Sequence, residues 1–295
     1  MIQSLTQNGP QKSRILVFGR MIKFSHTIFA LPFALSAVIL AHQEKPVTLS
    51  GVFWIVVAMI GARSAAMGFN RIADAKLDAQ NPRTADREIP KGKISPTSAI
   101  VFVLLFSLVF ILASAFLGKI CFYLSFPVLC ILFFYSYAKR FTWLCHLYLG
   151  FAISLAPLGA WIAVTGSMAP GIFLLSLGLM TYIAGFDILY ACQDIQFDKT
   201  AGLFSIPANF GIETSLFLAR LLHVLSVLFL LLLYPVFHLG TAYLFTVLII
   251  AILFFIEHQL IHPKDLSNIN IAFFHMNSII SVILLIGILA DRLIR

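Results

Sequence analysis

Residues 97–117 read TSAIVFVLLFSLVFILASAFL, which is 21 consecutive residues without a charged side chain. A helix needs about 20 apolar residues to cross the hydrocarbon core of a bilayer. In lipid every backbone polar group must be satisfied internally, so only helices and closed barrels span membranes. The run is continuous rather than alternating, and it therefore predicts a membrane-spanning helix.

Apolar runs of comparable length recur along the chain. They lie near residues 24–42, 50–69, 120–137, 143–164, 171–192, 214–236, 241–257 and 270–290. The 295 residues are 60% hydrophobic and 11% charged, whereas soluble domains are about 45–50% apolar and about 25% charged. These values exclude a soluble enzyme. We predict an all-α integral membrane protein, a bundle of about nine transmembrane helices, in which residues 1–295 form one polytopic domain.

Charge and cysteine content exclude two further classes. The net charge is +8, but no basic stretch lies outside the loops that flank the apolar runs, so we expect no nucleic-acid partner. The four cysteines show no zinc-ligand spacing and are predicted to be small core hydrophobes: Cys121, Cys130, Cys145 and Cys192. The N-terminus lacks the pattern of a signal peptide, so the first apolar run is expected to be retained.

Lysine and arginine are distributed unevenly between the two sides. With the N-terminus inside, the inner segments hold fourteen of them and the outer segments hold four. Cytoplasmic loops of membrane proteins carry the excess of basic residues. We therefore predict a cytoplasmic N-terminus and cytoplasmic positions for the two loops at residues 70–96 and 193–213.

One polar pattern occurs twice, with an offset of 120 residues between its copies. A polar residue is followed by aspartates at the fourth and eighth positions: Asn70, Asp74 and Asp78, then Tyr190, Asp194 and Asp198. On a helix this spacing places the two carboxylates of each copy on one face, where like charges repel. A divalent cation would relieve that repulsion. Mg²⁺ is typically held by one or two carboxylates together with substrate phosphates, so the pattern predicts that these four aspartates bind Mg²⁺ and a diphosphate.

The same helical faces continue into the apolar runs. Asp187 extends one of them and Arg63 the other. Ionisable residues at membrane depth usually face a cavity or a partner, and we expect these two to line the same pocket. Glu257 and Arg220 lie nearer helix ends, where snorkelling to the interface explains them.

Basic residues surround the aspartate pattern. Arg83, Arg87 and Lys91 follow its first copy and are predicted to clamp a leaving diphosphate. Lys139 and Arg140 end the fourth apolar run and are predicted to bind the carboxylate of an acidic acceptor. The alternative for each is a role in membrane topology alone.

Together these segments resemble the UbiA superfamily of intramembrane aromatic prenyltransferases. The resemblance rests on both aspartate motifs, on Asn-Pro-Arg-Thr-x-x-Arg-x-Ile-Pro-x-Gly at residues 81–92, on Tyr-x-x-x-Lys-Arg-x-Thr at 135–142 and on residues 23–33. It implies a nine-helix bundle around a lipid-open cavity, with Mg²⁺-diphosphate held by the four aspartates and Asn70. The family's usual first motif is Asn-Asp-x-x-Asp, and here its second residue is Arg71.

The activity that the resemblance implies is Mg²⁺-dependent transfer of a polyprenyl group from polyprenyl diphosphate to 4-hydroxybenzoate or a related hydroxy-aromatic carboxylate. Such enzymes serve ubiquinone or menaquinone biosynthesis in the bacterial inner membrane, with the active site on the cytoplasmic side. The acceptor's carboxylate is expected to meet Arg140, and its phenol to be oriented by Asp187 or Tyr190. No obligate protein partner is expected.

Three alternatives remain at this point. The first is prenylation of a naphthoate in the futalosine route to menaquinone. The segment Phe69-Asn-Arg-Ile-Ala-Asp resembles a motif of the enzymes proposed for that route. The second is transfer to haem, chlorophyll or a glycerophosphate lipid within the same superfamily. The third is a secondary transporter, whose coupling-ion site would lie near the bilayer midplane.

The charge count yields a test of topology. In a background without the native cysteines, cysteine at Gln80 or Gly202 should react with membrane-impermeant reagents from the inner side only, and cysteine at Lys45 from the outer side only. Labelling of Gln80 and Gly202 from opposite sides would separate the two aspartate motifs.

Overall fold

The structure is a computed structural model that describes residues 14–23, 29–263, 266, 269 and 276–295. These residues fold almost entirely into α-helices. In chain order the helices are α1 Arg14–Met21, α2 Leu31–Ala41, α3 Leu49–Ala73, α4 Ala75–Gln80, α5 Pro96–Leu117, α6 Lys119–Ala138, α7 Cys145–Thr165, α8 Pro170–Ala191, α9 Ile195–Thr200, α10 Ile206–Val236, α11 Thr241–Leu260 and α12 Asn277–Ile294.

The predicted all-α membrane architecture is confirmed. In the described part of the chain, eight helical segments are long and apolar enough to cross a membrane: α3, α5, α6, α7, α8 with α9, α10, α11 and α12. The first predicted run corresponds to α2, an apolar helix of 11 residues. Residues 24–28, where that run begins, lie outside the described residues. The prediction of nine helices is therefore approximate.

Helix α8 lies at the centre of the bundle. In the most apolar 18-residue stretch of this segment, 72% of the residues are buried, whereas the corresponding value for α5 is 17%. It packs against α7 and α10, and α3 packs against α5. The contact between α7 and α8 is close because Gly150 lies directly against the backbone carbonyl of Met180, where a Cβ atom would clash.

Both aspartate motifs interrupt their helices at the same point. Asp74 separates α3 from α4 with φ −93° and ψ 3°. Asp194 ends a 3₁₀ turn between α8 and α9 with φ −102° and ψ 5°. The expected continuous helical face is therefore wrong in detail, because the chain bends at the first aspartate of each motif.

The breaks bring both motifs to one end of the bundle. At this end lie α4, α9, the 81–95 loop, the start of α10 and the corner between α6 and α7. The last two are tied together by the backbone N–H of Phe204, which donates to the carbonyl of Lys139 at 2.7 Å. The chemistry-bearing residues are therefore gathered at one end of the helical bundle.

Two expectations about single residues are wrong. Glu257 does not snorkel to the interface: it is 1% exposed and accepts a hydrogen bond from Asn277 Nδ2 at 3.3 Å. Not all cysteines lie in the core, since Cys130 is exposed on the apolar surface of α6 and Cys121 is half-buried. Arg220 is exposed, in agreement with snorkelling.

The packing of α7 on α8 gives a stability prediction. Gly150→Ala should lower the unfolding temperature in detergent, because overpacking against a backbone carbonyl costs roughly 1–3 kcal/mol. The control is Gly159→Ala in the same helix, where nothing lies within 4 Å of the added Cβ. Equal thermal shifts for the two variants would contradict the close approach.

Candidate active site

A polar cavity of about 170 Å³ lies at the end of the bundle where the motifs meet. The acidic residues that line it are Asp74, Asp78, Asp187, Asp194 and Asp198. Its basic residues come from other segments and are Arg83, Arg87, Lys139 and His146. The structure thus brings both aspartate motifs to one site, as predicted.

Asp74 is held by three donors. Lys139 Nζ lies 2.7 Å from its Oδ2, Arg140 Nη2 lies 3.3 Å from its Oδ1, and Asn70 Nδ2 donates to Oδ2 at 3.2 Å. The Asp74 side chain is 3% exposed. A buried carboxylate needs such pairing, because desolvation of an unpaired charge is costly.

Asp78 and Asp194 pair with the 81–95 loop. Arg87 Nη1 lies 2.6 Å from Asp78 Oδ1. Arg83 forms a two-pronged contact with Asp194, with Nε donating to Oδ1 at 2.8 Å, and Asn81 Nδ2 donates to the same oxygen at 3.0 Å. Burial alone would lower the pKa of Arg83, but the hydrogen bond and the charge of Asp194 raise it above its usual value, so Arg83 remains cationic. These contacts fasten the loop over the cavity.

The other two carboxylates of the cavity have uncharged or titratable partners. Asp198 Oδ2 accepts from Ser205 Oγ at 2.8 Å. Asp187 Oδ2 lies 2.7 Å from His146 Nδ1. Tyr190 contacts the loop instead, since Arg83 Nη1 donates to its hydroxyl at 2.8 Å and the Arg83 guanidinium lies 5.0 Å from its ring centre.

The four motif aspartates are suited to Mg²⁺ by donor type, because hard divalent cations prefer carboxylate oxygens. Asp78 Oδ2 is also buried with no hydrogen-bond partner among the described residues. The described residues contain no preassembled group of three or more metal-binding side chains. Both oxygens of Asp74 and of Asp194 already accept from lysine or arginine, so these partners would have to give way for those two carboxylates to bind a metal.

An apolar cavity of about 290 Å³ adjoins the polar one, between α3, α5, α6 and α7. Asn70 and Tyr135 line both cavities and mark their junction. Arg63 lines the apolar cavity, so the expectation that it shares one pocket with Asp187 is wrong. Its Nη2 donates to the carbonyl of Lys23 at 3.4 Å, and its buried Nε has no hydrogen-bond partner in the described part of the chain.

Two predicted ligands lie outside both cavities. Lys91 is exposed and pairs with Asp86 at 2.8 Å. Arg140 stacks on Tyr137 at 4.9 Å and donates to the carbonyl of Ala73 at 2.5 Å, in addition to its contact with Asp74. The geometry gives Lys91 no contact with the site and gives Arg140 a supporting contact at its edge.

Sequence reasoning missed several residues of the site. Asn81 follows α4 and Ser205 precedes α10, and their side-chain contacts with Asp194 and Asp198 arise only in three dimensions. His146 is a single histidine near the start of an apolar run. That position was the one feature of the sequence that could have marked it as a site residue. Arg71, the departure from the family motif, is buried outside the cavity and donates from Nε to the carbonyl of Met21 at 3.0 Å.

Known proteins resemble this chain over most of its length. The profile of the UbiA prenyltransferase family matches residues 30–279. A protein named 4-hydroxybenzoate octaprenyltransferase from Vibrio campbellii is 29% identical over 253 residues, which are 86% of this chain and 88% of that protein. A Pseudomonas putida protein of the same name is 29% identical over 297 residues and covers 100% of this chain and 99% of its own.

Solved structures agree with the fold. The apo structure of a UbiA homologue from Aeropyrum pernix K1 superposes with a TM-score of 0.83 at 30% identity, covering 90% of this chain and 98% of that one. A UbiA homologue from Archaeoglobus fulgidus bound to DMAPP and Mg²⁺ has a TM-score of 0.75 at 18% identity and covers 94% and 99%. With the family profile spanning most of the chain, these matches establish that the chain belongs to the UbiA prenyltransferase family.

Proposed function

We propose that this membrane prenyltransferase transfers a polyprenyl group from polyprenyl diphosphate to 4-hydroxybenzoate or a related hydroxy-aromatic carboxylate, in quinone biosynthesis. The observation that carries the proposal is the junction of a charged cavity with an apolar one at Asn70 and Tyr135. A polyprenyl diphosphate has the same division into an anionic head and a hydrocarbon tail. The names of the Vibrio and Pseudomonas relatives support the aromatic acceptor.

The head of the donor belongs in the polar cavity. Asp74, Asp78, Asp194 and Asp198 would hold Mg²⁺, as the Mg²⁺ in the Archaeoglobus homologue supports. When bound, the ion neutralises diphosphate charge and stabilises it as a leaving group. The loop and corner cations that pair with these aspartates, Arg83, Arg87 and Lys139, are positioned to exchange a carboxylate for a diphosphate oxygen.

The reaction then follows from charge and position. The allylic C–O bond of the donor breaks and diphosphate keeps the electron pair. An electron-rich ring carbon of the acceptor forms the new C–C bond, and its proton leaves to restore aromaticity. Asp187 lines the polar cavity, has no Lys or Arg partner among the described residues and lies outside the motifs assigned to Mg²⁺, so we assign it as the proton acceptor.

Two arginines are candidates for the acceptor's carboxylate. Arg140, assigned from sequence, is engaged with Asp74 and Ala73 and lines neither cavity. Arg63 lines the apolar cavity, two helical turns before Asn70 on α3, and its Nε lacks a partner within the described residues. An anionic group would compensate this buried cation, and we therefore assign the carboxylate to Arg63.

We also propose that residues 1–295 act as one unit in the bacterial inner membrane, with the N-terminus and the polar cavity on the cytoplasmic side. The support is the excess of basic residues in the segments on that side. We expect no obligate protein partner, since the residues assigned to both substrates come from this chain.

The proposal is tested by mass spectrometry of lipid products. Membranes that contain the protein are supplied with polyprenyl diphosphate and Mg²⁺, and 4-hydroxybenzoate competes with 1,4-dihydroxy-6-naphthoate. A prenylated aromatic carboxylate is expected, and its mass identifies the acceptor. Absence of prenylated product from both acceptors would reject the proposed function.

Removal of a motif carboxylate should abolish most activity. Asp74→Asn or Asp194→Asn should lower the rate by about 10²–10⁴-fold, because each loses metal-mediated stabilisation of the leaving group. The double variant should be little worse than either single variant, since groups that act as a unit are non-additive. Chelation of Mg²⁺ should abolish transfer by the unmodified protein.

The matched control is Asp86→Asn. Asp86 lies in the same loop region, is 86% exposed and pairs with Lys91. This variant should retain nearly full activity. A folded and active Asp74→Asn/Asp194→Asn double variant, or full activity in EDTA, would refute the assigned metal role.

Steady-state kinetics distinguishes the roles of Arg63 and Arg140. Arg63→Ala should raise the KM for the acceptor by roughly 10–100-fold, because a charge-assisted hydrogen bond contributes about 1.5–3 kcal/mol. Arg140→Ala should act mainly on the prenyl diphosphate through Asp74. If Arg140→Ala alone raises the acceptor KM, the carboxylate belongs to Arg140, as the sequence predicted.

A further inference from the structure

We propose that His146 is a positioning residue that holds the carboxylate of Asp187 in place to accept the proton lost by the aromatic ring. The inference rests on the proposed function. His146 is 3% exposed and lines the polar cavity together with Asp187. Its Nδ1 lies 2.7 Å from Asp187 Oδ2.

Asp187 differs from the other carboxylates of the cavity. Asp74, Asp78 and Asp194 each pair with lysine or arginine, and Asp198 accepts from Ser205. Asp187 has His146 as its one hydrogen-bond partner among the described residues. Asp187 and Asp198 thus lack a Lys or Arg partner among the described residues, but Asp198 belongs to a motif that is assigned to the metal. Asp187 is therefore the carboxylate whose oxygen is available for a proton.

The position of Asp187 along α8 also suits it to accept the ring proton. Asp187 precedes Asp194 by seven residues of helix and turn, which is about 10 Å along the helix axis. Tyr135 lines the cavity beside it and also lines the apolar cavity. Asp187 is therefore near the junction, where the bond between the diphosphate and the first prenyl carbon would lie.

The contacts of His146 determine which ring nitrogen carries the proton. The backbone N–H of Ile206, in the first turn of α10, donates to His146 Nε2 at 3.3 Å. Nε2 must then be the unprotonated nitrogen, so Nδ1 carries the hydrogen and donates it to Asp187. An imidazole with both nitrogens engaged in this way orients the carboxylate and does not itself take the ring proton.

The arrangement fixes Asp187 from two other helices. His146 is at the start of α7, and its ring bridges the start of α10 and the side of α8. The neighbouring Cys145 Sγ donates to the carbonyl of Phe204 at 3.5 Å and secures the same corner. One oxygen of Asp187 is thereby held by His146, while the side chain remains 21% exposed to the cavity.

The proton balance is simple. After the ring carbon bonds to the prenyl carbon, its C–H electron pair returns to the ring and the proton passes to Asp187. The diphosphate has already left with the C–O pair, and His146 keeps its Nδ1 proton. Loss of His146 should therefore slow rearomatisation without weakening the binding of prenyl diphosphate.

Two substitutions separate positioning from structural support. His146→Asn keeps an amide donor near the place of Nδ1 and loses the contact with Ile206. His146→Gln places its amide near Nε2, so it keeps an acceptor for Ile206 and loses the donor to Asp187. We expect His146→Asn to retain kcat within about threefold and His146→Gln to lose roughly 10–100-fold, with the KM for prenyl diphosphate unchanged in both.

A second readout reports the proton step itself. With ring-deuterated acceptor, the isotope effect on kcat should be larger in His146→Gln than in the unmodified protein, because the substitution slows removal of the ring proton. In an Asp187→Asn background, His146→Gln should cause no further loss, because it acts through Asp187.

The outcomes are distinct. If the unmodified protein prenylates neither acceptor, the proposed function falls and this inference with it. If the unmodified protein is active but His146→Gln equals His146→Asn, or shows no larger isotope effect than the unmodified protein, the positioning role is overturned and the proposed function stands. If His146→Gln keeps kcat while His146→Asn unfolds at lower temperature, His146 serves only to anchor α10.

Discussion

Mutual repulsion among carboxylates is the constraint on which the active end of this bundle depends. Two like charges 4 Å apart repel by about 4 kcal/mol at an effective dielectric constant of 20, and five acidic side chains line one cavity of about 170 Å³. The compensating groups come from separate segments: the 81–95 loop through Arg83 and Arg87, and the α6–α7 corner through Lys139. The ion pairs of the acidic motifs therefore hold together the segments that enclose the cavity.

This constraint explains which parts of the molecule could be predicted from sequence. Spanning helices follow from uninterrupted apolar length, which is a local property. The convergence of the motifs followed from their equal spacing and from counting helices between them. The bends at Asp74 and Asp194 could not be foreseen, because periodicity alone treats a helix as continuous. The prediction that Lys91 binds the diphosphate was wrong for a related reason. Lys91 is near Arg87 in sequence, but it pairs with the exposed Asp86 outside the cavity.

Buried polar groups away from the site also could not be predicted from sequence alone. Glu257 is near a helix end, so its hydropathy context indicated snorkelling, yet α10 and α12 supply it with His223 at 3.6 Å and Asn277 at 3.3 Å. Polar groups within membranes are tolerated where neighbouring helices provide partners. The presence of such partners depends on helix packing, which no single segment encodes.

The substitution of Arg71 for the usual motif aspartate can be understood in the same terms. Its guanidinium is directed to the carbonyl of Met21 and joins α3 to α1, away from the cavity. The chain thus lacks one acidic residue of the family's first motif, but Asp74 and Asp78 still line the polar cavity together with both aspartates of the second motif. Because the departure changes an anchor of α1 rather than the charge that faces a diphosphate, it is compatible with unchanged donor chemistry. Differences in acceptor are then to be sought near the junction at Asn70 and Tyr135, where the ring must meet the first prenyl carbon.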